Sequence, residues 1–349
     1  MTHTLEHEEV TIRRGPRSEL PLIIAVHSRA LGPAVGGCRL RRYGSWQEGL
    51  ADALRLSEAM TYKCAASGLD FGGGKSVIAL GEHTDLTPEL RAAALADMGE
   101  FIASCEGSYL AGPDVGTTPE DMVVLRRSSP YVFCLPEEHG GTGTSSTPTA
   151  TGVLAALHAG ADHVFGTASL AGRTVVVSGF GSVGSRIAAG LAADGARVLV
   201  SDVDASKRQA AEGSGFGWLE PQEVPGTRAD VLVPAAVGGV LGPDTVPRLG
   251  VRLVVGPANN QLTTDSVADL LVKHDIVWVP DFVASAGGVV HTLGREIDRL
   301  TEEEALRRVS GIGDTVRLLL DRSRASGTTP LHEAHTLAGL RLRPHRQLP

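Results

Sequence analysis

The chain is predicted to fold as two α/β domains, the second built on a parallel sheet. Three observations carry this expectation. At 349 residues the chain is long enough for two full cores. The stretch Glu137 to Thr149 (E-E-H-G-G-T-G-T-S-S-T-P-T) breaks the composition as a hinge or linker does. Beyond it the apolar run Thr174 to Ser178 leads at once into Gly179-Phe180-Gly181-Ser182-Val183-Gly184, then a helical stretch, then a second strand that ends in Asp202. Strand, glycines, helix, strand and an acid about 20 residues on are the full context of a Rossmann dinucleotide site.

Composition narrows the function. Hydrophobic content is 42% and net charge is −8, with a pI near 5.8 and mean hydropathy near zero. An acidic surface argues against a nucleic-acid partner, because phosphate binding needs basic groups. The four cysteines, Cys38, Cys64, Cys105 and Cys134, form no C-x-x-C pair, and H-E-x-x-H does not occur, so no metal site is expected. Widely spaced thiols suit a reducing cytosol. The acidic N-terminus reads as carrying no signal peptide, and no apolar run of about 18 residues is present to span a membrane. A cytoplasmic location is expected.

Taken in order, Glu8 to Arg13 and Leu20 to His27 read as strands, and Leu31 to Arg39 as a loop in which Gly36-Gly37 can turn N–H groups toward an anion. Taken alone, the stretch reads more simply as a plain turn. Trp46 to Lys63 and Thr87 to Ser104 have helical spacing. Tyr109 to Thr117 is a short strand running into a turn, with Asp114 at the strand end; beside Pro113 and Gly116 such an acid is commonly turn chemistry. A helix is expected from Ala150 to Phe165. After the dinucleotide fingerprint come strands at Asp230 to Ala235, Arg252 to Val255 and Ile276 to Pro280, each followed by a polar or Gly-rich loop. Ligands bind at such C-terminal strand ends. Glu302 to Arg324 reads as one long helix and Thr329 to Leu340 as a last one.

The stretch Met60 to Leu80 stands out chemically. It holds two of only four lysines, Lys63 and Lys75; the other two are Lys207 and Lys273, and arginine supplies 28 of the 32 basic residues. Lysine can lose its proton when buried and act as a base, whereas arginine cannot. Gly72 to Gly74 precede Lys75 and read either as a glycine turn or as a place where backbone approaches a ligand. A P-loop is excluded: the position six residues before the Lys is Leu69, and Ser76 to Leu80 reads as strand.

In the second domain the glycines admit a pyrophosphate to a helix N-terminus, whose dipole favours anions. Asp202 is placed to accept hydrogen bonds from the ribose hydroxyls and to repel a 2′-phosphate, so NAD is expected over NADP. Lys207 and Arg208 pull the other way.

With these pieces in order, the chain resembles the glutamate/leucine/phenylalanine/valine dehydrogenase superfamily, and most closely its phenylalanine and valine members. The resemblance rests on G-P-A-V-G-G-C-R, M-T-Y-K…G-G-G-K-S, G-P-D-V-G-T, G-F-G-S-V-G, A-N-N-Q-L and P-D-F-V-A-S-A-G-G, spread from about Leu31 to Leu340. It implies an N-terminal substrate domain over 1–142 and an NAD domain over 143–327, with a cleft between them and a C-terminal helix (about 328–349) packing back on the first. It implies Lys75 and Asp114 as catalytic residues. Lys63, Gly36, Gly37 and Val35 would bind substrate. Gly179, Gly181, Ser182, Val183, Gly184, Asp202, Thr149 and Asn259 would bind NAD. Val35 falls where glutamate-specific enzymes place a lysine; an apolar residue there would leave a second carboxylate unpaired, at high cost. The implied reaction converts an apolar L-amino acid, NAD and water into the 2-oxo acid, ammonia and NADH, in a homo-oligomer. Burial and the neighbouring Lys63 are expected to lower the Lys75 pKa.

Three positions depart from the family pattern: Ser285 where Asn is usual, Cys38 for Thr, and Pro257 for Ala. They admit a dehydrogenase for an unusual amino acid as an alternative, or a non-catalytic NAD-binding regulatory homologue.

Overall fold

A computed structural model describes residues 6–343. The chain divides into two compact units. The first comprises the described residues up to Thr144, with Thr292–Arg299 and those from Ala338 onward; the second comprises Ser145–His291 and Leu300–Leu337.

The first unit holds a five-stranded sheet of β1 (Glu9–Arg14), β2 (Pro21–Ser28), β3 (Ala34–Tyr43), β4 (Gly72–Gly81) and β5 (Tyr109–Pro113), in the order β1-β2-β4-β3-β5. β1, β2 and β4 pair antiparallel, whereas β3 runs parallel to both β4 and β5. The helices are α1 (Trp46–Ala66), α2 (Pro88–Ala103) and α3 (Pro119–Arg126). Each begins on a Ser or Thr side-chain cap, Ser45, Thr87 and Thr118, which satisfies a first-turn N–H. One sheet face buries Leu22, Ile24, Ile78 and Leu80 against Met98, Ile102 and Leu125; the other packs Ile23, Val77 and Ala79 against Ala53 of α1.

Two expected glycine loops are strand. Gly36-Gly37 lies inside β3 and Gly72–Gly74 opens β4. Their missing side chains make room for packing. A Cβ on Gly73 would sit 2.1 Å from the Thr61 nitrogen of α1, and one on Gly74 would sit 2.7 Å from the Tyr109 ring.

The second unit begins with α4 (Ser146–Phe165), which starts earlier than expected and takes Thr149 out of the linker into the first helical turn. Pro148 is tolerated there because first-turn N–H groups have no helical acceptor. Then follow β6 (Thr174–Ser178), α5 (Ser182–Ala193), β7 (Arg197–Ser201), α6 (Arg208–Gly213), β8 (Gly217–Trp218), β9 (Val231–Pro234), β10 (Leu253–Val254), α7 (Val267–Lys273), β11 (Val277–Trp278), α8 (Asp281–Ala284), α9 (Gly287–Glu296), α10 (Glu302–Ser310), α11 (Ile312–Ser326) and α12 (Pro330–Leu342). The six strands are parallel in the order β8-β7-β6-β9-β10-β11, with the chain reversing direction across the sheet between β6 and β9. Ligands of doubly wound sheets bind at that switch point.

The single long helix expected from Glu302 is two, broken at Gly311 between α10 and α11. α9 spans residues read as a loop and the stretch beyond, and its early positions are buried. α12 changes unit at Ala338. Past that point Arg341 donates to the carbonyls of Ala65 and Leu69 and pairs with Asp70, all in the first unit. Residues 344–349 lie outside the described residues. Among the described residues no helix is long and apolar enough to cross a membrane.

Candidate active site

In the first unit, parallel pairing brings three strands together at one place. Lys75 on β4 lies opposite Ala25 of β2, one residue before the Ser76↔Cys38 pair with β3, and Cys38 is also opposite Pro113 of β5. Asp114 follows β5 directly. Its backbone N–H donates to Thr117 Oγ1 at 2.9 Å, and that hydroxyl donates to the Cys38 carbonyl at 2.7 Å. Gly116 closes the turn at φ +83°, where a Cβ would lie 1.8 Å from the Leu40 carbonyl oxygen, so only glycine fits.

The result is an ion pair. Lys75 Nζ is 2.8 Å from Asp114 Oδ2, with the lysine side chain 6% exposed and the aspartate 22%. Arg39 Nε donates to the same oxygen at 2.7 Å. Gly37 borders the pair: a Cβ there would lie 2.6 Å from Asp114 Cβ and 3.0 Å from Lys75 Nζ. Gly36 is close to β4 in the same way, its missing Cβ 1.8 Å from the Gly74 carbonyl oxygen.

Burial pushes the Lys75 ammonium below the ordinary lysine range; Asp114 opposes this and Arg39 adds to it. Burial alone would raise Asp114, but the charges of Lys75 and Arg39 override it and bring the carboxyl down to about 2. Arg39 is thus a cation that faces Lys75 from β3, which runs beside β4 and carries it to the pair; Lys63 occupies the last turn of α1. Arg39 was visible only as the last letter of G-P-A-V-G-G-C-R, in a chain that uses arginine everywhere, and received no role. Val35 is fully buried on β3. Cys38 is also fully buried, which pushes its thiol up to about 12 and keeps it neutral.

In the second unit the fingerprint residues form a cradle at the switch point. Gly179 has φ +118°, and a Cβ there would lie 2.6 Å from the Ala235 carbonyl carbon after β9. Gly184 lets α5 approach the loop: its missing Cβ would be 1.9 Å from the Gly179 carbonyl oxygen. Gly181 begins α5 without a side-chain cap, and a Cβ on it would meet no heavy atom within 4 Å. Uncapped N–H groups beside open space, at the start of a 12-residue helix that continues through Ser182 and Val183, fit a pyrophosphate.

Asp202 ends β7. Its carboxylate accepts from the N–H groups of Phe180 and Asp204 at 2.8 and 2.9 Å and is 2.9 Å from Lys207 Nζ. Lys207 thus does turn back onto Asp202, while Arg208 pairs with Glu212 and Glu220. Asn259 is exposed in the loop after β10. Gln261 anchors that loop: it is fully buried, donates to the carbonyls of Gly256 and Ala258, accepts from Trp278 Nε1, and donates its own N–H to Asp281. The Ser285 hydroxyl is buried with no hydrogen-bond partner among the described residues.

The glycine-rich turn at the switch point of a parallel sheet is the fold of a dinucleotide-binding protein. Residues 7–130 match the family model described as Glu/Leu/Phe/Val dehydrogenase, dimerisation domain, and residues 200–296 match Glutamate/Leucine/Phenylalanine/Valine dehydrogenase. Residues 153–241 match the NAD binding domain of S-adenosyl-L-homocysteine hydrolase. The chain is 38% identical to a phenylalanine dehydrogenase of Caldalkalibacillus thermarum, covering 98% of this chain and 93% of that one. It is 36% identical to a leucine dehydrogenase of Bacillus cereus, with 97% and 91% covered. The solved L-tryptophan dehydrogenase from Nostoc punctiforme superposes with a TM-score of 0.83 at 32% identity, over 97% of this chain and 96% of that one. The chain belongs to the glutamate/leucine/phenylalanine/valine dehydrogenase family. It is an NAD-dependent amino-acid dehydrogenase, an oxidoreductase acting on a CH–NH2 group.

Proposed function

We propose that the substrate is an apolar L-amino acid of the phenylalanine, leucine or valine type, oxidised reversibly to its 2-oxo acid and ammonia, with Lys75 and Asp114 as the catalytic residues. The observation that carries this is the buried Lys75–Asp114 pair, 2.8 Å apart, in a unit whose position 35 is an apolar valine. A glutamate side chain would find no lysine at that position, and an unpaired buried carboxylate is costly.

NAD, when bound, accepts the hydride from the substrate α-carbon. The cradle residues Gly179, Gly181, Ser182, Val183 and Gly184 would hold its pyrophosphate, and Asp202 its ribose, with Thr149 and Asn259 as further contacts. Everything else falls to the chain's own groups. Lys63 pairs with the substrate carboxylate and fixes the α-carbon in register, an orientation effect as much as an affinity one. Gly37 keeps a side chain away from the pair, and Gly36 lets β3 lie close against β4 beside it. Lys75, its ammonium weakened by burial, takes a proton from the water that attacks the substrate imine and polarises the developing carbonyl oxygen. Asp114 relays protons to and from the substrate nitrogen. Both cations bind its Oδ2, which leaves Oδ1 for that nitrogen.

We assign substrate binding to the first unit and NAD binding to the second. Assembly into a homo-oligomer and a cytoplasmic location belong to the same proposal. The description of the matched model as a dimerisation domain supports the first, and a solved relative from Thermus thermophilus (26% identical, TM-score 0.80, 96% of this chain and 88% of that one) is a hetero-hexameric glutamate dehydrogenase. The four free cysteines fit a reducing compartment.

The test is direct. Protein, NAD and a panel of L-amino acids at alkaline pH are followed by NADH absorbance. Turnover with phenylalanine, leucine or valine and none with glutamate is expected; glutamate turnover, or none with any apolar amino acid, overturns the assignment.

A further inference from the structure

Asp114 does not depend on Lys75 alone. Arg39 reaches it from β3, and the guanidinium bridges two carboxylates: Nε to Asp114 Oδ2 and a terminal nitrogen to Asp52 Oδ2, each at 2.7 Å. Its side chain is 11% exposed, that of Asp52 12%. Asp52, on α1, is fixed in turn by the Tyr43 hydroxyl at 2.8 Å and by Arg55 at 2.8 Å. The groups therefore form a line from the buried lysine outward: Lys75, Asp114, Arg39, Asp52, then Tyr43 and Arg55. Proton transfer at Lys75 changes the charge at one end of this line. When the ammonium becomes an amine, Asp114 loses one of its two cationic partners, and without Arg39 it would be free to turn or to take up the proton itself.

We propose that Arg39 is a positioning residue of the reaction: its guanidinium keeps the Asp114 carboxylate charged and aimed at the site while Lys75 gives up and regains its proton. This rests on the roles proposed above for Lys75 and Asp114. Arginine suits the task because it stays protonated throughout and its planar fork can hold two carboxylates in fixed geometry. A lysine at position 39 would be a single titratable point charge.

The arrangement makes a prediction with opposite signs in two variants. In the deamination direction, kcat/KM rises with pH as Lys75 loses its proton. The charged and titratable groups that face it are Asp114 from the end of β5, Arg39 and Cys38 from β3, and, through Arg39, Asp52 from α1; α1 also carries Lys63. β2 presents Ala25 opposite Lys75. Arg39→Met removes a cation beside the ammonium, so the acid limb of the profile moves to higher pH. Asp52→Asn leaves the Arg39 charge less neutralised, so the limb moves to lower pH.

The experiment records full pH profiles of kcat and kcat/KM for wild type, Arg39→Met, Arg39→Lys and Asp52→Asn. Arg39→Met should lower kcat about 100-fold, the scale of a misplaced catalytic group, with KM for NAD unchanged. Arg39→Lys should recover part of that loss and return the limb toward its wild-type position. A bridge that serves only stability would let both charge-removing variants lose activity with the limb in place, and that result overturns the inference, as does an Arg39→Met kcat within twofold of wild type. Should Arg39→Met not fold, the sign of the Asp52→Asn shift decides alone. Lys75→Ala keeps the two levels apart: if it turns over normally, the catalytic reading itself fails; if it is inactive while neither limb moves, only the role of Arg39 fails.

Discussion

A lysine is a useful base only where something makes its ammonium unstable without leaving its partners disordered. At Lys75 burial does the first and the Asp114–Arg39 contact the second. Lys75→Ala is expected to lower kcat about 100-fold or more, the scale of lost acid–base catalysis, with NAD affinity unchanged because the cradle lies in the other unit. Wild-type turnover in that variant would remove Lys75 from the mechanism. Gly37 offers a finer probe. Its added Cβ would meet Asp114 Cβ at 2.6 Å, an atom close to the backbone that cannot swing aside as a long side-chain end can. Gly37→Ala should therefore displace Asp114, lower kcat and destabilise the fold by about 1–3 kcal/mol. An unaltered kcat would mean that the carboxylate has room its neighbours do not suggest. Lys75 stands out in the sequence as a rare lysine behind three glycines, whereas Asp114 reads locally as turn chemistry and takes its role only from the family resemblance. Arg39 does not stand out, since its partners are 13 and 75 residues away and arginine is the default base of this chain.

Elements were legible where their signal was local. β6, the fingerprint and β7 lie almost where the apolar runs place them, because a buried parallel strand is a continuous β-branched stretch and its loop is written in glycine. β3 reads in sequence as a loop because Gly36-Gly37 carries no alternation; what makes it strand is pairing with β4 and β5, both distant in sequence. Gly311, too, reads in sequence as a helical residue, and only the structure shows α10 ending there. The β7 end bears on cofactor choice. With Lys207 on Asp202, the acid is partly neutralised yet held in place by two backbone N–H groups. NAD is expected to exceed NADP by at least about tenfold in kcat/KM, roughly 1.4 kcal/mol. Asp202→Ala should narrow that gap by freeing Lys207 for a 2′-phosphate, and Lys207→Ala should widen it. Arg208→Ala should leave it alone, since Arg208 is engaged by Glu212 and Glu220. Kinetics with both cofactors decide; equal use by the unmutated enzyme would show that the basic residue outweighs the acid.

At the scale of the molecule, an excess of acid has to be stabilised by specific partners, since net charge is −8. Asp97 is the deepest instance. Its side chain is fully buried in the first unit and accepts from the Ser18 N–H and hydroxyl, each at 2.8 Å, and from the N–H and guanidinium of Arg17. Burial works against the charge, but these donors outweigh it and hold the carboxyl below the usual aspartate range. A carboxyl depressed in the folded state contributes stability that is fully present above its unfolded value, about 3.9, and is lost as pH falls through the folded one. Asp52 and Asp114 in the same unit are depressed too, so the sign is common to all three. Thermal melts should therefore show stability falling below about pH 4. Asp97→Asn keeps the shape but turns an acceptor of four hydrogen bonds into an amide with its own N–H groups, and should cost about 2 kcal/mol at pH 7. Because the wild-type carboxyl also loses its charge in acid, the gap between the two proteins should hold from pH 7 down to about 4 and close below that. A gap that stays constant below about pH 4 would place the cost in packing rather than in the charge.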